Sequence, residues 1–93
     1  MKQLINKNVF IHALQFDGTN LEEIEEFTEF TNVLSVTILN NVLWIIYKSY
    51  DHAEPQRMHA MPRQFLIKDA ANYVSIYDED IINQHWYEYK AGN

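Results

Sequence analysis

The side chains with the most chemical reach gather in one stretch, where Tyr47, Tyr50, His52, Arg57, His59 and Arg63 follow one another closely. Arginine presents a planar fork of donors that matches a phosphate, and a tyrosine ring offers a face on which a flat ring can stack. The stretch is locally basic in an acidic chain, so it could clamp a small anionic ligand such as a nucleotide. It reads as readily as a self-association surface or a loop of half-buried tyrosines, because tyrosine is a common interface anchor.

Four histidines, at 12, 52, 59 and 85, raise the question of a metal. None stands three or four residues from another on an expected helix, the spacing that turns two imidazoles toward one ion. His12 and His85 are expected beside a sheet and His52 and His59 on a loop, with no metal and no cofactor. The sequence holds no cysteine, no Gly-x-Ser-x-Gly elbow, and glycine only at 18 and 92. Thiolate chemistry, a serine nucleophile on a strained turn and a glycine-rich phosphate cradle therefore have no support. Asp51, Asp69 and Asp78 remain, but nothing places two of them in a shared environment. Binding rather than catalysis is the expectation.

Thirteen acidic against seven basic residues give a formal net charge of −6, which repels a nucleic-acid backbone and suits a basic partner surface. Glu22, Glu23, Glu25, Glu26 and Glu29 crowd one segment. Carboxylates in a row can imitate DNA phosphates, but a solvated helix face is the simpler reading, and the acids are not spread along several strands. Trp44, Tyr47, Tyr50, Tyr73, Tyr77, Trp86, Tyr87 and Tyr89 are more large rings than a small core can cover, so some must lie near solvent.

The elements that would position these groups follow from periodicity. Val9 to Phe16 alternates, with Val9, Ile11 and Ala13 on one face and Phe10, Leu14 and Phe16 on the other, as a strand does. Asp17-Gly18 breaks it, and Thr19 with Glu22 predicts a capping box for a short amphipathic helix over 20–30. Val33–Leu39 and Val42–Tyr47 flank Asn40-Asn41, the strongest hairpin signal. Residues 49–56 read as a loop and 57–61 as a short strand stopped by Pro62. Residues 64–68 and 72–77 predict a second hairpin through Asp69-Ala70-Ala71. Asp78 suits the N-cap of a closing helix that turns Ile81, Ile82, His85 and Trp86 to the sheet, with residues 90–93 frayed. The fold expected is α+β: a mostly antiparallel sheet of five or six strands with two short helices packed on one side.

With 93 residues, of which 47% are hydrophobic, the chain suits a single domain, 1–93, that can bury one core. Residues 1–8 lack the apolar run of a secretory signal, and Val42–Tyr47 falls far short of the roughly 20 residues of a membrane span. A soluble cytoplasmic protein is expected, with no membrane association.

Two blocks resemble a widespread group of small bacteriophage and prophage proteins. Ile11-His12-Ala13-Leu14-Gln15-Phe16-Asp17-Gly18-Thr19-Asn20-Leu21, running into the glutamates, is similar to that group's alanine-hydrophobe-glutamine-aromatic strand and Glu-rich helix. Pro62, Phe65, Leu66, Ile67 and Lys68, then Tyr73 and Val74, then Trp86, Tyr87 and Glu88 follow the group's second block in order. The chain departs at Arg63-Gln64, where the group has Gly-Asp, and through a longer, more aromatic middle, residues 31–61. The resemblance implies a phage setting and a role in phage–host biology but transfers no catalytic residue. Three functions follow as expectations: a binding protein that inhibits or modulates a host or anti-phage defence protein, aided by homodimerisation; a sponge for a small anionic nucleotide signal; and, more weakly, an acidic DNA mimic.

Overall fold

The computed structural model describes residues 2–6, 9–85 and 87–88. In chain order these form β1 (Lys2–Asn6), β2 (Val9–Gln15), α1 (Leu21–Phe27), β3 (Val33–Leu39), β4 (Val42–Tyr47), β5 (Gln56–Ala60), β6 (Phe65–Lys68), β7 (Val74–Tyr77), α2 (Glu79–His85) and β8 (Tyr87–Glu88). The class is α+β. The strands do not share one sheet, however: they divide into an antiparallel sheet ordered β7-β6-β2-β1-β8 and a second ordered β3-β4-β5.

The first sheet is covered on both faces. Register places Ala13 opposite Ile67 and Leu14 opposite Leu66, and successive residues of a strand point to opposite faces. Leu14, Phe16, Leu66 and Val74 pack with Ile24 and Phe27 of α1 and with Leu43, Ile45 and Ala60 of the second sheet. Ala13, Phe65 and Ile67 face the other way and pack with Ile82 of α2. The helices thus lie on opposite faces, not on one side. Phe16, Ile24, Leu43, Ile45, Leu66 and Val74 are fully buried, each contributing about 1.5–3 kcal/mol of hydrophobic stabilisation.

Local chemistry explains the connections. Asn40 and Asn41 both adopt positive φ (53° and 63°), as a two-residue type I′ hairpin turn requires. The expected Thr19–Glu22 capping box does not form. The Thr19 hydroxyl instead donates to Oδ1 of Asp17 (2.9 Å), which also accepts the N–H groups of Thr19 (2.7 Å) and Asn20 (2.9 Å). These bonds, those from Thr19 foremost, hold the Asp17 carboxyl below its ordinary pKa. The helix starts after Asn20, which makes no side-chain cap. At its other end no basic residue lies in the last turn; Lys68 of β6 donates to the Phe27 carbonyl (3.1 Å) and sits 4.6 Å from the Phe27 ring centre. A cation there complements the helix dipole. The expected contact of His85 and Trp86 with the sheet, and the fraying of residues 90–93, lie outside the described residues, as does the side chain of Tyr87.

Candidate functional site

Asn32, between α1 and β3, joins the two sheets. Its N–H donates to the Asn72 carbonyl (3.4 Å) and its carbonyl accepts the Lys48 N–H (2.9 Å). Its side chain accepts the Val74 N–H at Oδ1 (2.9 Å) and donates from Nδ2 to the Lys48 carbonyl (3.2 Å). One residue thereby ties the edge strand β7 of the first sheet to the end of β4 in the second.

Over this junction opens a cleft of about 440 Å³ with Asn32, Lys48 and Tyr73 among its lining and Phe30, Tyr50 and Asn72 beside them. Tyr50 stacks on Tyr73, ring centres 5.5 Å apart and planes 16° from parallel, yet remains 85% exposed. Phe30 is 89% exposed and holds φ at 60°, while Asn72 holds 62°. Such a conformation is uncommon for a bulky residue and marks a position worth a functional explanation. Lys48 is the one charged residue among the nine lining the cleft.

The second exposed surface is the outer face of β3-β4-β5. Pairing sets Thr37, Trp44 and His59 in one row and Ser35, Ile46 and Arg57 in the next. Trp44 and His59 rings lie 5.3 Å apart. Leu39, Trp44 and Ile46 are 61%, 45% and 38% exposed, and neither row contains a carboxylate.

The residues singled out from the sequence are distributed among several places. Tyr50 stands in the cleft, and His52 is exposed on the loop before β5. Tyr47 is half-buried against the core, while Arg57 and His59 project from β5 on the outer sheet face. Arg63 is engaged elsewhere: its guanidinium donates to Oε1 of Glu79 from NH2 (2.7 Å) and Nε (3.2 Å), and Gln15 donates to the other Glu79 oxygen (2.9 Å). The hydrogen bond and charge of Glu79 raise the arginine's pKa further. The two arginines therefore do not converge on Tyr50. Glu22, Glu23, Glu25 and Glu26 are exposed on α1, and Glu29 lies past its end because the helix is shorter than expected. His12 is exposed rather than packed beside the sheet. Among the described residues no three histidine or acidic side chains are grouped to hold a metal ion.

Phe30, Asn32, Lys48, Leu39 and Ile46 were not anticipated. One signal was present: Val42–Tyr47 is apolar at every position, so a strand covered on one face only must leave alternate apolar residues open. Nothing comparable marked Phe30, which follows Phe27 at helical spacing but falls beyond the helix end.

Comparison with family models, curated proteins and solved structures gives no match for this chain.

Proposed function

We propose that the chain is a non-enzymatic binding protein that docks on another protein through the outer face of β3-β4-β5, and that in the phage setting its sequence implies the partner is a host or anti-phage defence protein. The observation that carries this reading is the exposed set Leu39, Trp44 and Ile46 on one sheet face. Tryptophan flanked by aliphatic side chains is the usual composition of an interface centre. Arg57 and His59 border that centre without a carboxylate among the paired rows, so the fitting partner offers an apolar patch rimmed by acidic residues. A second copy of the chain is the other occupant such a face would take.

The test compares the wild-type chain with Trp44→Glu and Leu39→Asp. Both side chains lie outside the core, so the variants keep their melting temperature. A partner captured by the wild type is lost by both variants if the face is the interface; equal capture overturns the reading. The mass in solution identifies a second copy, since a dimer would dissociate in the same variants.

A further inference from the structure

We propose that the cleft over Asn32 is a binding site for a nucleoside monophosphate, with the base stacked on Tyr50 and the single phosphate held by Lys48. This site is separate from the docking face on β3-β4-β5 and stands independently of it.

Three observations meet there. The floor is fixed, because Asn32 bonds to Asn72, Val74 and Lys48 through both its backbone and its side chain; a site on a rigid support loses less freedom when it closes on a ligand. The walls are aromatic. One face of Tyr50 lies against Tyr73, and with 85% of the residue exposed its other face is open to a flat ring. Phe30 supplies a further exposed ring on the same cleft. Stacking on such rings is tolerant of base identity.

Charge then selects the ligand. Lys48 supplies the only charge in the lining, and no described residue pairs with its ammonium. Asn72, whose side-chain amide also has no partner among the described residues, adds a donor and an acceptor within the cleft. A net charge of −6 opposes a polyphosphate or a nucleic-acid strand, so one phosphate matched to one ammonium is the charge the site can take. The volume, about 440 Å³, falls in the usual range of small-molecule sites, roughly 300–1,000 Å³. An inorganic anion would leave the ring faces unused.

The experiment is a calorimetric or NMR titration of the full chain with AMP, adenosine, ribose 5-phosphate and ATP. AMP is expected to saturate, adenosine and ribose 5-phosphate each to bind about tenfold more weakly, and ATP no more tightly than AMP. Tyr50→Ala and Lys48→Ala each weaken AMP by about tenfold, Tyr50→Phe retains the affinity, and circular dichroism verifies that all three are folded. Trp44→Glu leaves AMP binding unchanged, which separates this site from the docking face. No saturable AMP binding, equal affinity for ribose 5-phosphate, tighter binding of ATP, or AMP binding unaffected by Tyr50→Ala overturns the proposal.

Discussion

The side chain of Asn32 accepts the backbone N–H of Val74 at 2.9 Å, and this bond stands in for a strand neighbour that β7 lacks. β7 is the edge of its sheet. Just beyond its ladder with β6, which ends at the Lys68–Val74 pair, the Asp69 N–H donates inward to the Tyr73 carbonyl (3.2 Å). Alternation in an antiparallel ladder then turns the Val74 N–H outward. Val74 is 1% exposed, so that outward donor has little access to water and needs a protein acceptor. Asn32 supplies it while its Nδ2 holds the end of β4, and the two sheets are thereby fixed at the point where the cleft opens.

Asn32→Ala removes both side-chain bonds and leaves the Val74 donor without its acceptor. A destabilisation of about 2–3 kcal/mol is expected, since an unsatisfied buried donor costs more than the mean worth of a hydrogen bond. Urea unfolding measures it. Asn32→Asp keeps an acceptor for Val74 but sets a carboxylate oxygen against the Lys48 carbonyl, so it should unfold at a lower urea concentration than wild type. A loss below about 0.5 kcal/mol for Asn32→Ala would show that the sheets are held by their shared core alone.

The local elements were legible for physical reasons that the sheet partition was not. Asn40-Asn41 between two β-branched runs dictates a hairpin whatever else the chain does, and Asp69 to Asn72 likewise sets a turn, with Asp69 accepting the N–H groups of Ala71 and Tyr73. Residues 2–6, by contrast, gave no strand signal because Lys2, Gln3 and Asn6 obscure alternation around Leu4 and Ile5. Whether β4 pairs onward to β2 or turns away is settled by tertiary contacts that no local pattern encodes. The candidate site suffered for the same reason. Tyr50 was visible as an aromatic, but its neighbours Phe30, Lys48 and Asn72 come from three connections brought together only by the Asn32 junction. Arg57 and Arg63 looked close in sequence, yet β5 carries Arg57 to the outer sheet face, and the turn beyond it carries Arg63 to Glu79.

Arg63 occupies a backbone conformation suited to glycine, with φ at 82°. The turn is closed by backbone groups: the Arg63 N–H donates to the Phe16 carbonyl (2.7 Å), and the Arg63 carbonyl accepts from Gln15 (2.9 Å). Neither bond depends on the side chain. Arg63→Ala keeps the left-handed strain and loses the contact with Glu79, so its melting temperature falls below wild type. Arg63→Gly loses the same contact but relieves the strain, so it melts above Arg63→Ala. Calorimetric scans of the three proteins check the order; alanine melting above glycine would mean that the turn is not strained by a Cβ.

Phe30 sets stability against binding at a single position. It is 89% exposed and adopts φ of 60° just beyond the end of α1, so its ring gains almost nothing from burial while its backbone bears the cost of the left-handed region, about 1–2 kcal/mol for a residue with a Cβ. Glycine, the residue that most often follows a helix in this conformation, avoids that cost and gives back part of it through the greater freedom of the unfolded chain. Phe30→Gly is therefore expected to stabilise the protein by about 0.5–1 kcal/mol in urea unfolding. The same substitution removes one ring from the cleft, and AMP affinity should fall severalfold while stability rises. Opposite signs in the two measurements are the mark of a residue kept for what it binds. A destabilised Phe30→Gly would instead assign the ring a packing role in ordering the turn between α1 and β3, and unchanged AMP affinity would take Phe30 out of the site.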